Sequence, residues 1–432
     1  MRPIYLLLCA LALSGNAAAQ LRLPSLPILP QSLGQLDNLR RPAEQLAERV
    51  KLPDLRSLRL DRVGQLLRSH PDVLEADPHG EPAVRGEILA WNPSPAALEA
   101  ARGAGLQVVR EQRFDELGES LVVLRTPDGG STADTLERLR ALDPDGHYDF
   151  NHIYTGSGSA GMVLPAAQAV LPPPAPGAGN RGPVRVGLVD SGVEADHRAL
   201  RGAAIHAWGC DGGAHPDPHG TAVAALLVGR DGSFRGAAPG AELYAADIYC
   251  DSPTGGSAER IASALGWLAR QQVAVINLSL VGPSNLALER IVARMVERGY
   301  LLVAAVGNDG PAAPPLYPAS YPGVVGVTAV DRDGRPLPEA ARGPQVLFAA
   351  PGNNMVSASP GEPPYRSVRG TSFAAPIVAG LLAPALARPD RASARTAIAT
   401  LARTAGDASS ISNSVGYGVV GAAVRTDPAR LR

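Results

Sequence analysis

The sequence predicts an α/β fold in which a mostly parallel sheet carries helices on both faces. From residue 184 onward, apolar runs of strand length such as VRVGLVD alternate with helical runs such as HGTAVAALLVG. Strands rich in Val, Ile and Ala that alternate with helices are typical of a parallel sheet buried on both sides. Aromatic residues make up only 4% of the chain, so we expect a core of Ala, Val and Leu.

Residues 1–19 have the pattern of a secretory signal peptide. Arg2 precedes an apolar stretch over residues 4–13, and alanines at 17–19 complete the pattern. The stretch is too short to cross a bilayer, and no later run approaches the ~20 residues that a transmembrane helix needs. We therefore expect a secreted or periplasmic protein without a membrane span, with a lipid anchor on Cys9 as the alternative.

Two further segments precede the large domain. Residues 20–80 are rich in Leu, Arg and Pro and suggest short helices, but no function can be inferred from them. Residues 81–155 show the order strand, helix, strand, strand, helix, strand. That order is typical of a ferredoxin-like unit, in which two helices cover one face of a four-stranded sheet. We therefore predict a small α+β domain of ferredoxin-like fold.

Residues 156–183 are rich in Pro, Ala and Gly and predict a linker to the large domain, residues 184–432. The net charge of −1 does not indicate a protein that binds nucleic acid. We expect a monomer. Cys210 and Cys250 remain once the signal is removed, and an even number in an oxidising compartment favours a disulfide. Two separate buried thiols are the alternative.

Four polar residues stand at the ends of predicted elements. Asp190 and Asn308 each end a strand, whereas His219 and Ser372 each begin a helix. In an open parallel sheet, the strand carboxyl ends and helix amino ends share one edge. An Asp can orient an imidazole, the imidazole can accept a serine proton, and an amide N–H can stabilise the resulting oxyanion. Each residue alone also fits a helix cap or a turn, and it is the combination that predicts a catalytic site.

The order Asp, His, Ser and the surrounding motifs resemble those of the subtilisin-like (S8) serine peptidases. The motifs are GLVDSGV, HGTAVA, AAVGND and GTSFAAPIVAG, and the resemblance covers residues 184 to about 424. It implies a serine endopeptidase that forms an acyl-enzyme on Ser372. His219 would act as general base and then acid, with Asp190 orienting it. Asn308 and the backbone N–H of Ser372 would bind the oxyanion.

The resemblance also implies a binding strand for extended peptide or protein substrates. Ser279, Leu280, Val281 and Gly282 would line the first specificity pocket. A peptide would add a strand, with main-chain hydrogen bonds giving affinity and side-chain pockets giving selectivity. The family usually has Gly where this chain has Val281, so we expect a narrower pocket.

Secreted members of this family commonly carry a ferredoxin-like N-terminal propeptide. The resemblance therefore implies a self-processing zymogen whose own propeptide inhibits it, with the cut anywhere from about 153 to 183. A permanently attached domain is the alternative. Family members often bind calcium, but the sequence has no oxygen-rich loop motif. We predict no cofactor and no metal site, and calcium stays an open alternative.

Three other functions fit parts of the sequence. Asp190 in Asp-Ser-Gly matches the signature of aspartic-type peptidases, which need two such loops sharing a proton. His215 and His219, with Asp211 or Asp217, have a spacing known from metal ligands, although two prolines interrupt any helix there. A non-catalytic exported binding protein is the third alternative.

Overall fold

The computed structural model describes residues 55–157, 159–163, 183–406 and 410–426. The described helices are α1 (Leu55–Ser69), α2 (Pro95–Gly103), α3 (Thr132–Leu142), α4 (Pro218–Val228), α5 (Ala258–Arg270), α6 (Leu286–Glu297), α7 (Thr371–Leu382) and α8 (Arg391–Ala405). The described strands are β1 (Leu74–Ala76), β2 (Pro82–Trp91), β3 (Gln107–Phe114), β4 (Glu119–Arg125), β5 (His147–Gly156), β6 (Ser159–Val163), β7 (Arg185–Asp190), β8 (Ile205–Trp208), β9 (Arg230–Asp231), β10 (Phe234–Arg235), β11 (Glu242–Asp247), β12 (Gly256–Ser257), β13 (Val275–Leu278), β14 (Leu280–Val281), β15 (Leu301–Ala305), β16 (Val325–Val330), β17 (Val346–Pro351), β18 (Met355–Ala358) and β19 (Tyr365–Arg369).

A seven-stranded sheet in the order β17-β16-β15-β13-β7-β11-β8 lies at the centre of the large domain. Every neighbouring pair in it is parallel. Because successive side chains of a strand point to opposite faces, Val303 and Ala305 pack with α4, α7 and α8, whereas Leu302 and Ala304 pack with α5 and α6. The predicted α/β fold with helices on both faces is confirmed.

The small domain has an antiparallel sheet in the order β5-β2-β4-β3. One face, which includes Ile88 and Ala90, is covered by residues of α2 and α3. The other face, which includes Leu89 and Trp91, joins the buried cluster formed by α5 and α6 of the large domain. The small domain therefore packs on the large one with the sheet face that its own helices leave uncovered.

Two short elements extend beyond the limits expected from the sequence. Strand β1 pairs with the start of β2 and lies ahead of residue 81, the predicted start of the small domain. Strand β6 lies within the predicted linker and pairs with β19. The composition of the linker does not predict β6, because Gly and Ala are depleted in strands.

The predicted signal peptide and most of the linker lie outside the described residues. Within the described residues, no helix has both the length and the apolar character needed to cross a bilayer. Cys210 and Cys250 form a disulfide with a Cα–Cα distance of 5.3 Å. This bond joins the turn after β8 to the loop after β11.

Candidate active site

Asp190 and His219 are directly hydrogen-bonded. Asp190 is the last residue of β7 and is 1% exposed. His219 lies in the first turn of α4, which begins where Asp217 accepts the backbone N–H of His219 at 2.8 Å. Nδ1 of His219 lies 2.7 Å from Oδ1 of Asp190. Because a carboxylate can only accept, we assign the ring proton to Nδ1, which leaves Nε2 able to take up a proton.

The pKa of His219 is raised above its usual value. Burial lowers this pKa, but the negative charge of Asp190, its hydrogen bond to the ring and the charge of Asp217 together outweigh burial. The imidazolium that forms when His219 accepts a proton is therefore stabilised.

Ser191, which the sequence analysis did not select, connects the two elements that carry this pair. Its hydroxyl donates to Oδ1 of Asp217 at 2.7 Å and accepts the backbone N–H of Gly220 at 2.9 Å. A side chain at Gly220 would collide with the main-chain oxygen of Ser191. The glycine after His219 thus permits the close approach of α4 to the end of β7.

Ser372 lies in the first turn of α7, a helix that begins without a side-chain cap. The cap position is Gly370, whose φ of 132° favours glycine. The Ser372 hydroxyl donates to the main-chain oxygen of Ser279 at 3.1 Å, and its Oγ lies 2.5 Å from Oγ of Ser157. The Ser372 hydroxyl therefore does not serve as a helix cap, and the backbone N–H of Ser372 lies at the helix start, where N–H groups can bind an anion.

The side chain of Asn308 bridges the start of α7 and Ser157. Its Oδ1 accepts the backbone N–H of Thr371 at 3.1 Å, which fixes the orientation of the amide. Its Nδ2 donates to the main-chain oxygen of Ser157. The Ser157 carbonyl thus occupies the position in which an oxyanion would be held by Asn308.

The hydrogen bond between Ser372 and His219 is not formed in this arrangement. Among the described residues, Nε2 of His219 has no hydrogen-bond partner. The two residues are nevertheless close, because the ring of His219 lies 5.3 Å from the ring of Phe373, measured between centroids. Ser157 and Ser279 hold the Ser372 hydroxyl instead, so the hydroxyl must turn about its Cα–Cβ bond to meet His219.

The end of β5 pairs with the strand that the sequence predicts to bind an extended peptide. Thr155 and Gly156 pair antiparallel with Val281 and Leu280 of β14. On the other edge, β12 pairs with the residues just before them. After Ser157, β6 pairs antiparallel with β19. An extended segment is therefore bonded to the large domain on both sides of Ser157.

The four residues predicted to line the specificity pocket have different positions. Leu280 and Val281 form β14, and Gly282 packs so closely on Tyr154 that a Cβ there would lie 2.5 Å from its ring. Ser279 has no exposed surface, and its hydroxyl donates to the main-chain oxygen of Ser372 at 2.8 Å. The Ser279 side chain therefore fixes the start of α7 and does not face the bound segment.

The small domain also contacts the first turns of two helices of the large domain. Asp149 accepts the backbone N–H of Leu286 at 2.7 Å, at the start of α6. Asn151 accepts the backbone N–H of Glu259 at 3.1 Å, at the start of α5. Acceptors at helix N-termini satisfy free N–H groups and complement the helix dipole. The strand that ends at the active site is thus anchored by α5 and α6.

The predicted metal-binding alternative is not supported by the geometry. His215 bonds to Asp251 at 2.6 Å, whereas His219 bonds to Asp190. Within the described residues, the group with three potential ligands in reach of one another is Cys210, Asp247 and Cys250. Its two sulfurs are joined to each other and cannot act as thiolate ligands.

Comparison with known proteins identifies relatives of the large domain. Residues 182–418 match the family model described as the Subtilase family. Subtilisin DY from Bacillus licheniformis is 34% identical over 235 residues, which cover 52% of this chain and 85% of that protein. Subtilisin Savinase from Lederbergia lenta is 38% identical over 217 residues, which cover 48% of this chain and 80% of that protein.

A solved structure also matches. The crystal structure of fervidolysin from Fervidobacterium pennivorans, a keratinolytic enzyme related to subtilisin, aligns with a TM-score of 0.64 and 22% identity. The alignment covers 81% of this chain and 62% of that chain, so this chain spans less than two thirds of fervidolysin. At this identity, the likeness concerns the fold alone.

Proposed function

The chain belongs to the subtilase family of serine peptidases, and we propose that it is a secreted serine endopeptidase made as a zymogen that cuts its own chain after Ser157. The observation that carries this proposal is the hydrogen bond from Asn308 to the Ser157 carbonyl, next to the Ser372 hydroxyl. A carbonyl carbon in this position is adjacent to both the nucleophile and an oxyanion donor.

In the proposed mechanism, the Ser372 hydroxyl turns toward His219 and attacks the carbonyl carbon of the residue before the cut. His219 takes the hydroxyl proton at Nε2, while Asp190 holds the ring through Nδ1. The amide of Asn308 and the backbone N–H of Ser372 stabilise the oxyanion. His219 then gives its proton to the leaving amine, and the acyl group remains on Ser372. Water activated by His219 hydrolyses the acyl-enzyme and regenerates the site.

The small domain is proposed to act as the intramolecular inhibitor. Its last strand supplies the segment paired with β14, and Asp149 and Asn151 hold that strand to two helices of the large domain. A peptide or protein substrate must pair with the same strand, so it competes directly with the small domain. We propose that the monomeric enzyme binds extended chains in this way once the small domain leaves.

Export is supported by the signal-like residues 1–19 and by the Cys210–Cys250 disulfide, a bond that persists in oxidising compartments. A secreted or periplasmic location is therefore part of the proposal. The reaction needs no cofactor, because side chains and backbone N–H groups supply the nucleophile, the base and the oxyanion donors.

The aspartic-type alternative and the non-catalytic alternative have less support. Oδ1 of Asp190 accepts hydrogen bonds from His219 and from the backbone N–H of Ser191, and among the described residues Oδ2 has no partner with which it could share a proton. An aspartic mechanism requires a second carboxyl group at that distance. The serine mechanism gives a role to Asp190, His219, Ser372 and Asn308 together.

The test is to produce the full chain, its Ser372→Ala variant and its Ser410→Ala variant, and to measure intact masses and N-terminal sequences. Ser410 is exposed and serves as the matched control. We expect the wild type and the control to yield a chain beginning at Gly158, and Ser372→Ala to remain uncut. Cleavage after residue 157 in the Ser372→Ala protein, produced in a protease-deficient host, would refute the proposal.

A further inference from the structure

The side chain of the residue before the cut would lie between β14 and the turn that leads to Asn308. Side chains alternate along an extended strand, and a Cβ on Gly156 would lie 3.3 Å from Nε2 of His219. The side chain of the next residue is therefore directed away from the His219 ring, and in the chain's own segment the Ser157 hydroxyl lies against Oγ of Ser372. On the side away from His219, the space for this side chain is bounded by β14 and by the turn at Gly307.

Two apolar side chains fill the space between these walls. A Cβ on Gly307 would lie 2.6 Å from Cδ1 of Leu316 and 3.6 Å from Cγ1 of Val281. Leu316 and Val281 are each only 5% exposed. The two side chains therefore converge over Gly307 and occupy volume that a large substrate side chain would need.

Leu316 is held in place by its surroundings. The next residue, Tyr317, exchanges two backbone hydrogen bonds with Gly282, each of 3.0 Å. The hydroxyl of Ser320 donates to the main-chain oxygen of Leu316 at 2.7 Å. These bonds fix the backbone of Leu316, and overpacking the space that its side chain fills is unfavourable.

The position three residues before Ser157 is different. Tyr154 is fully buried, packs its ring on Gly282 and donates its hydroxyl hydrogen bond to the main-chain oxygen of Pro283 at 2.6 Å. The structure thus accepts a large aromatic side chain at this position of the bound segment. At the residue before the cut, the chain's own segment has the small side chain of Ser157.

On the basis of the proposed function, we infer that Val281 and Leu316 restrict the enzyme to substrates with Gly, Ala or Ser before the cut. Leu316 lies in an irregular segment outside residues 279–282, so it is a further specificity-determining residue. The substrate class is an extended chain with a small residue before the cut.

The inference is tested with the processed enzyme and internally quenched peptides containing Tyr-Thr-Gly-Xaa-Gly-Ser, where Xaa is Ser, Ala, Leu or Phe. We expect kcat/KM for Ser and Ala to exceed that for Leu and Phe by about 10²-fold. Equal rates for Ser and Phe would overturn the inference and leave the proposed function intact. Hydrolysis of none of the peptides would refute the proposed function as well.

Variants of the pocket add a second test. Leu316→Ala and Val281→Gly are expected to raise the Phe/Ser ratio of kcat/KM by about 10-fold or more. Ile411→Ala, which changes an exposed apolar residue outside the site, is the matched control and should leave the ratio unchanged. Leu316→Val, a smaller change, covers the case in which Leu316→Ala fails to fold. An unchanged ratio in the folded Leu316 and Val281 variants would contradict the assignment of these residues.

Discussion

The side-chain amide of Asn308 donates a hydrogen bond to the main-chain oxygen of Ser157, a residue 151 positions earlier in the chain. The bond connects the end of the small domain to the catalytic edge of the large domain. It also identifies Asn308 as the donor that an oxyanion on residue 157 would meet. The position of the proposed cut and the role of Asn308 therefore depend on the same contact.

Removal of the Asn308 amide should reduce the rate of the chemical step. We expect Asn308→Ala to lower kcat by about 10²–10³, the range typical of a lost oxyanion donor, with little change in KM. Steady-state kinetics on the Ser peptide measure both constants. Asn413→Ala, at an exposed position, is the control. A raised KM with an unchanged kcat would assign Asn308 to substrate binding instead.

The activity should depend on pH through His219. Only the neutral imidazole can act as the base, and the pKa of His219 is raised from 6.5, so kcat/KM should climb with pH through a midpoint above that value. Asp190→Asn removes the charge and bond that raise the pKa. We therefore expect its midpoint at lower pH and a kcat lower by about 10⁴. A flat profile from about pH 5 to 9 for the wild type would argue against a histidine base.

Helix α1 should stabilise the precursor through Arg59. Arg59 bonds to Glu81 at 2.6 Å and lies 3.6 Å from Asp309, whose side chain is 8% exposed. Burial raises the pKa of Asp309, and the nearby arginine charges of α1 oppose that rise. In the uncut Ser372→Ala precursor, we expect Arg59→Ala and Asp309→Asn to be coupled by about 1 kcal/mol or more in the free energy of unfolding.

Urea unfolding of the two single variants and the double variant measures this coupling. Arg68→Ala, at an exposed position of the same helix, combined with Asp309→Asn provides the control pair. Additivity of Arg59→Ala and Asp309→Asn within about 0.5 kcal/mol would mean that the ion pair contributes nothing specific.

Loss of the disulfide should destabilise the large domain. Cys210 and Cys250 are 40 residues apart, and closing such a loop stabilises a fold by about 4 kcal/mol on the chain-entropy model. We expect the Cys210→Ser, Cys250→Ser double variant to lose about this much unfolding free energy, measured in the Ser372→Ala background to avoid self-digestion. Adding a reductant should lower the unfolding midpoint of the parent protein and leave that of the double variant unchanged. A parent midpoint that does not respond to complete reduction would contradict the prediction.

The sequence predicted those parts of the site that follow from element ends. Asp190 and His219 could be placed together because a parallel sheet brings strand carboxyl ends and helix amino ends to one edge. Ser157 and Leu316 could not be selected in this way. Ser157 is small and polar in a Gly-rich stretch, and its contact with Ser372 spans 215 residues. Leu316 lies in an irregular segment whose position depends on the backbone bonds of Tyr317 to Gly282.

The role of Ser279 shows a second limit of sequence reasoning. The resemblance implied that Ser279 lines the pocket, but Ser279 lies between β13 and β14, and the direction of its side chain depends on the start of α7, which is far away in the chain. The hydroxyl donates to the main-chain oxygen of Ser372 and therefore does not line the pocket. Arg59 is similar, because the partner that gives it a role, Asp309, lies on another domain.

The pairing of β6 with β19 would make the two products of the proposed self-cleavage unequal. The fragment that ends at Ser157 is released from any covalent link, so dilution or digestion can remove it. The new amino terminus, in contrast, stays tethered to the enzyme at a high local concentration beside β19, and dilution cannot displace it. Binding of the part of a substrate that follows the cut would therefore depend on how readily β6 dissociates from β19.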